Sequence, residues 1–510
     1  MDSNNLMEDH GELQAIITGG FKRLNHARYI LLTIPQGKEE DAKAFVKEVV
    51  PKVTATEFIK TIPKYSPNKN TWEGIWGLNV AFTHSGLKKL GLHESTLDGF
   101  SRPFKEGMND PERSIHLGDI GDNAQKNWDF GARGEKKGTT DMLLLLFAST
   151  EKNVDTELTR WKDKWEKHGL ETLIPPIDSH VLEDGKEHFG FKDGIAQPIV
   201  KGLGKENIFN TTPINTGEVL LGYRDQYYEF PRNPIVPDTK GEFYKLPLIH
   251  EGDQHQYAFG TNGSYLVFRK LRQYVNRFWT YLAEQTKTDD AAKSEEAMVK
   301  LATKMVGRWP SGVPLAKYPD HDPIDPKKKV DDEIWLLKNN DEFLFDNDDK
   351  YGDKTPRGSH IRRSNPRDSL RNDPNESQEI SQKHRMLRRG RTYGNPVEKD
   401  LKPIDLLNKN DDSEDRGLVF IALCGDINRQ YEFSQKDWID GPKFDDLYTE
   451  SDPVIGNHCP RNDGMVTNTF SVPQCPVRHR VKDIPQFVEM KGGAYFFLPG
   501  IRALKYLTTL

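Results

Sequence analysis

The stretch Ala27-Arg28-Tyr29-Ile30-Leu31-Leu32-Thr33-Ile34 is rich in β-branched and aromatic residues and is closed by Pro35 and Gly37, so it reads as a strand. Behind it, Glu39 to Val50 places Ala42, Phe45, Val46, Val49 and Val50 at helical spacing. Working outward, Trp76 to Phe82 is a second strand, and Thr83 is placed to cap a short helix that Gly91 stops. Met142 to Ala148 is a third strand, and Asp155 to His168 is a helix with Leu158, Trp161 and Trp165 on one face. This β-α-β-β-α order predicts an α+β fold, with helices packed on one face of an antiparallel sheet.

The second half repeats the rhythm with larger insertions. Gly217 to Tyr223, Gly263 to Phe268, Gly417 to Cys424 and Gly493 to Leu498 read as strands. Leu271 to Gln285, Ala291 to Val306 and Tyr431 to Asp440 read as helices. Connections as long as Ser311 to Tyr351 and Gly441 to Pro485 are uncommon unless functional or poorly ordered. A length of 510 residues alone points to about three domains. The repeated rhythm favours two α+β halves, residues 1–215 and 216–510.

Composition excludes several classes. The 72 Lys+Arg against 78 Asp+Glu leave a net charge of −6, which gives no basis for nucleic-acid binding. Aromatics at 10% argue against disorder. No apolar run approaches 18 residues, so no membrane span is expected. The first ten residues lack a basic n-region and an apolar h-region, and three cysteines are too few for a disulfide framework. The expectation is a cytoplasmic protein. The chain ends about a dozen residues after its last strand, which argues against a cargo-targeting tail. His93-Glu94 lacks the second histidine of a zinc-protease helix, and Gly134 to Thr140 lacks the end of a phosphate loop. His458, Cys459, Cys475 and His479 match no paired metal-ligand spacing.

Three segments remain. They are His188-Phe189-Gly190-Phe191-Lys192-Asp193-Gly194, His360-Ile361-Arg362-Arg363-Ser364-Asn365-Pro366-Arg367, and Arg388-Arg389-Gly390-Arg391-Thr392-Tyr393-Gly394. Alone, the first is a turn. The other two lie in a cationic island, with ten Lys/Arg and four Asp/Glu between Arg357 and Arg391. Such an island reads as a solvated loop or as a polyanion site.

Together, in this order and separation, the segments resemble the dye-decolourising peroxidase family. Gly190 to Gly194 matches its Gly-x-x-Asp-Gly signature, the segment from His360 its proximal histidine, and the segment from Arg388 its distal arginine. Weaker echoes at Asn79 to Leu92, Gly263 to Phe268 and Gly417 to Phe433 extend the likeness over nearly the whole chain, in the manner of the larger, insertion-rich members. The resemblance implies two ferredoxin-like halves, with the pocket mainly in the C-terminal one, holding heme b (iron protoporphyrin IX). It also implies a peroxidase that reduces hydrogen peroxide and oxidises organic donors such as dyes and phenols.

In that reading His360 is the iron ligand, Asp193 shuttles the proton, and Arg388 stabilises the departing oxygen and contacts the cofactor. Arg362 or a neighbour pairs with the heme propionates. Arg389 points elsewhere in an extended segment. Surface Trp or Tyr residues relay electrons from donors too bulky to enter, and a carboxylate acid–base group implies best activity at mildly acidic pH. One departure stands out. Relatives carry a glutamate where this chain has Asn428, so either Asp426 or Asn428 accepts the hydrogen bond of the proximal histidine. With Asn428 in that role, a raised iron potential is expected. The competing reading is a heme-binding or heme-trafficking protein with incidental peroxidase activity. Nothing in the sequence sets an oligomeric state.

Overall fold

Strand β1 (His26–Thr33) pairs antiparallel with the strand at Met142–Ala148, in a register running from His26↔Ala148 to Leu32↔Met142. The computed structural model that shows this describes all residues except 1–9, 22, 58–73, 135–138, 205–211, 238–245, 248–255, 325–338, 410–411 and 461–463. The register sends alternate side chains to opposite faces. Ala27, Tyr29 and Leu31 join Leu143, Leu145 and Phe147 in one core, while Ile30 and Leu32 join Leu144 and Leu146 in another.

The remaining main strands are β2 (Trp76–Phe82), β3 (Met142–Ala148), β4 (Ile177–His180), β5 (Ser264–Gln273), β6 (Leu387–Arg388), β7 (Arg391–Tyr393), β8 (Gly417–Cys424) and β9 (Val488–Leu498). Eight of them form a closed ring in the order β7-β4-β1-β3-β2-β9-β5-β8, with β8 returning to β7 and β6 added against β8. All these pairings are antiparallel. Antiparallel strands with helices on them were expected. What the structure adds is that strands from both ends of the chain close one barrel, which leaves no exposed sheet edge in the ring. Tyr29, Leu145, Phe268, Ile421 and Phe496 fill its interior.

Helices α1 (Glu39–Val49) and α2 (Glu151–Lys167) cover the outer face. Phe45 meets Trp161 edge-on at 6.2 Å, and both are buried with Ile30 and Leu144. Each such buried side chain contributes about 1.5–3 kcal/mol. Helices α3 (Val275–Thr286) and α4 (Ala291–Val306) form a separate core with Phe189 and Phe191; the Phe189 and Phe278 rings stack at 4.5 Å. No helix among the described residues is long and apolar enough to cross a membrane.

Three element predictions need correction. Gly217 to Tyr223 is not a strand but a tight turn at Thr216–Glu218 and the turns that follow. The chain folds back so closely that a Cβ at Gly217 would lie 2.3 Å from the Tyr223 carbonyl oxygen, and Val219 and Leu220 turn into the barrel core. Strand β5 runs to Gln273, so the helix expected from Leu271 starts only at Val275. The helix expected from Tyr431 begins at Ile427 and runs as two wide π-type turns to Ile439.

Candidate active site

A cavity of about 320 Å³ lies against the outer face of β5, β8 and β9, where Leu271, Gln273, Leu418, Phe420, Val488 and Met490 form one wall. Its size is within the range of cofactor and small-molecule sites, about 300–1,000 Å³. The opposing residues come from the Asp193 turn, from a short helix α5 (His360–Ser364) and from a group of arginines. Of the residues singled out in the sequence, His360, Asp193 and Arg388 line this one cavity, and Arg362 does not.

His360 opens α5, and its Nδ1–H donates to Oδ2 of Asp452 at 2.8 Å. Asp452 is fully buried, and its Oδ1 accepts the backbone N–H groups of Val454 and Ile455 at 2.9 and 3.0 Å. Burial opposes charge on both partners. Their mutual attraction and hydrogen bond outweigh it, so the imidazole is raised above its ordinary value and the carboxyl lowered below its own. Nε2 of His360 has no hydrogen-bond partner among the described residues, and the ring lines the cavity. Arg363 steadies the neighbouring loop by donating to the carbonyls of Trp438 at 2.6 Å and Glu450 at 2.7 Å.

The carboxylate partner is therefore Asp452, not Asp426 or Asn428. Asp426 caps the following helix by accepting the Arg429 N–H at 3.0 Å, and Asn428 is exposed. The raised iron potential expected from a neutral partner at Asn428 falls with that assignment. Sequence reading missed Asp452 because its local signal, an Asp accepting N–H groups two and three residues on, is that of an ordinary Asx turn. Its contact with His360 spans 92 residues.

Asp193 sits at the end of a turn in which its N–H donates to the Gly185 carbonyl at 3.1 Å. The flanking glycines have a conformational cause. Gly190 has φ +93° and a Cβ there would lie 2.6 Å from the Leu401 carbonyl oxygen, while Gly194 has φ +72°. The Asp193 carboxylate has no hydrogen bond or ion pair among the described residues. Arg388, on β6, is aligned by its N–H donating to Gln197 Oε1 at 3.0 Å, and its guanidinium has no carboxylate partner among the described residues. Arg389 turns the other way, donating to the Ile16 and Ile17 carbonyls at 2.7 Å each.

The assignment of Arg362 to the cofactor is corrected. Two residues on from His360, it projects from the far side of α5. It is 1% exposed, donates to the carbonyls of Asp349 at 3.0 Å and Thr355 at 3.3 Å, and lies over the Phe345 ring. Other arginines take the cavity wall: Arg308, Arg367 and Arg385. Arg308 and Arg367 share the carboxylate of Asp341, whereas Arg385 makes one long contact, to the Ala196 carbonyl at 3.3 Å. Burial pushes Arg385 and Arg308 down to about 10, which leaves both charged at neutral pH. An imidazole with a free nitrogen, facing a wall with surplus guanidinium charge, is a donor set that fits an iron porphyrin with two carboxylates.

His458 is buried with its ring nitrogens against the carbonyls of Pro485 and Asp452, and no metal-binding cluster of His, Cys, Asp and Glu forms among the described residues.

Residues 12–173 match the family model described as the DyP dimeric alpha+beta barrel domain. A multifunctional dye peroxidase of Amycolatopsis is 31% identical over 452 residues, covering 84% of this chain and 82% of that protein. A dye-decolorizing peroxidase of Mycetinis scorodonius is 29% identical over 446 residues, covering 84% and 76%. The solved structure of an ancestral D-type dye-decolorizing peroxidase superposes with a TM-score of 0.74 at 27% identity, covering 98% of each chain.

Proposed function

The chain belongs to the dye-decolourising peroxidase family, and from that premise we propose that it reduces hydrogen peroxide at heme b held by His360, with Asp193 and Arg388 assisting cleavage of the peroxide bond, and oxidises organic donors such as dyes and phenols. The observation that carries the reading is the convergence, in one cavity, of His360, tied to Asp452, with the Asp193 carboxylate, which has no hydrogen bond among the described residues, and the Arg388 guanidinium, whose one contact there is a 3.4 Å hydrogen bond to the Ala196 carbonyl.

Bound heme iron supplies the two-electron reduction of peroxide and the one-electron oxidations that follow. His360 would hold the iron through Nε2; the bond to Asp452 fixes its tautomer and makes the imidazole a stronger donor. Asp193 takes a proton from one peroxide oxygen and delivers it to the other, which leaves as water. Arg388 stabilises the negative charge that grows on the leaving oxygen. Arg385, Arg308 and Arg367, on the cavity wall, would hold the carboxylates of the cofactor.

We also read residues 1–215 and 216–510 as the two α+β halves of the protein, since β1 to β4 precede that point and β5 to β9 follow it. A cytoplasmic location is supported by three cysteines that are all free.

A heme carrier makes no use of Asp193 or Arg388, which gives the test. Purified holoprotein is mixed rapidly with hydrogen peroxide, with Asp193→Asn and Arg388→Leu alongside. Both variants are expected to bind heme normally and react at least 100-fold more slowly. Parent-like rates in both refute the peroxidase mechanism. His360→Ala is expected to lose heme, and a normal heme spectrum in it refutes the ligand assignment.

A further inference from the structure

Glu187 precedes the Asp193 motif and belongs to the cavity wall, yet none of the steps above uses it. Its two carboxylate oxygens are fully engaged. One accepts the Phe191 N–H at 2.9 Å; the other accepts the Phe189 N–H at 2.9 Å and the side-chain N–H of Gln273 at 2.5 Å. Its main chain closes the same turn, since its N–H donates to the Phe191 carbonyl and its carbonyl accepts from Gly190, at 2.9 and 2.8 Å. Gln273 is the last residue of β5 and is buried. The turn is also pinned from outside by aromatic contacts, Phe189 on Phe278 and Phe191 on Trp279.

These contacts make Glu187 the link between β5 and the motif turn. A turn ending in an exposed aspartate has few bonds of its own to hold the carboxylate in place; Asp193 contributes one backbone bond and Lys192 another, to the Pro310 carbonyl at 3.1 Å. The Glu187 carboxylate gathers the N–H groups of both motif phenylalanines and fastens them to the barrel.

We propose that Glu187 is the positioning residue for Asp193, its carboxylate clamping the motif turn to β5 through Gln273. The proposal rests on the reading of Asp193 as the proton shuttle. Burial pushes the Glu187 carboxyl up to about 7, and the buried Gln273 Oε1, which has no hydrogen-bond partner among the described residues, is available to accept a hydrogen bond from the protonated carboxyl once the amide rotates. The clamp therefore survives protonation. Glutamine at 187 does not reproduce it, because its NH₂ group must face one of the backbone N–H donors.

The test compares holoprotein of the parent with Glu187→Gln, Gln273→Leu, Asp193→Asn and the Glu187→Gln/Asp193→Asn double variant. Two quantities are read: the rate of reaction with hydrogen peroxide, and amide hydrogen exchange of the 187–194 segment by mass spectrometry. A displacement of about 1 Å at a reacting group costs up to about 100-fold. We expect Glu187→Gln and Gln273→Leu each to slow the peroxide reaction 10- to 100-fold at unchanged heme content, with faster exchange at 187–194. On the Asp193→Asn background, Glu187→Gln is expected to have no further effect, because a residue acting through Asp193 loses its effect with it. Gln273→Leu cuts the tether from the barrel side and leaves the turn's own bonds, so it reports even if Glu187→Gln does not fold. A parent-like rate in Glu187→Gln beside a slow Asp193→Asn overturns this proposal alone. So does an equal slowing of the parent and of Asp193→Asn. A parent-like rate in Asp193→Asn overturns the shuttle reading and this proposal with it.

Discussion

Asp452→Asn isolates the pair that holds the proposed iron ligand. The substitution keeps the shape of the side chain and the oxygen that accepts the Val454 and Ile455 N–H groups, and it replaces the oxygen facing His360 Nδ1 with an NH₂ group. Two donors then face each other beside the fully buried position 452, and the charge that keeps the imidazole a strong base is gone. Loss of such an outer partner lowers metal affinity or activity by about 10- to 100-fold. At about 1.4 kcal/mol per tenfold, that is about 1.4–2.8 kcal/mol. The assay is transfer of heme from the holoprotein to an excess of an apo-globin, with a parallel redox titration of the iron. Heme is expected to leave 10- to 100-fold faster, and the Fe(III)/Fe(II) potential to rise, because a less basic imidazole stabilises ferric iron less. Asp426→Asn and Asn428→Glu are expected to change neither. Unaltered heme transfer and potential in Asp452→Asn, with a shift in Asp426→Asn, refute the reasoning.

Arg362→Leu separates the fold from the site: it leaves the Thr355 carbonyl without its Arg362 donor and the buried Asp349 and Asp445 carboxylates without the nearby cation, and is expected to cost about 2–3 kcal/mol of stability by denaturant unfolding, while the heme spectrum stays that of the parent. A heme-binding defect at full stability returns Arg362 to the cofactor. Arg385→Ala removes a half-buried cation with no carboxylate partner among the described residues and is expected to weaken heme binding about tenfold in equilibrium titration, with no loss of apoprotein stability. Glu187 has a folded value, about 7, above its unfolded one, so its contribution to stability is full below about 4.5 and is lost as pH rises through about 7. The apoprotein Tm should therefore fall between pH 5 and pH 8 more steeply in the parent than in Glu187→Gln, and parallel curves contradict the shift. Dye oxidation is expected to be fastest at mildly acidic pH, and an optimum above neutrality weighs against a carboxylate acid–base group.

Legibility differed by residue for physical reasons. Runs whose partners are adjacent in the pattern could be read closely: Met142 to Ala148 and Gly417 to Cys424 have the predicted bounds, and α4 runs from Ala291 to Val306. Gly217 to Tyr223 misled because its apolar residues plug the barrel rather than line a sheet. The opposite directions of Arg388 and Arg389 follow from strand alternation and were readable in advance. Arg362 was misplaced because its segment was read as a motif and not as a helix, where residues two apart face different ways.

The sequence by itself determined the family, the α+β class and the identity of the motif residues, because glycine conformations, apolar periods and a local order of segments are properties of nearby residues. Only the tertiary structure decided that the strands of both halves close one barrel and that Arg308, Arg367 and Arg385, and not Arg362, line the cavity. It also decided that the partner of His360 is Asp452. An Asx turn 92 residues from a histidine becomes its carboxylate partner only when packing brings two loops together. No local propensity encodes that contact, since burying the pair excludes water and makes each group depend on the other.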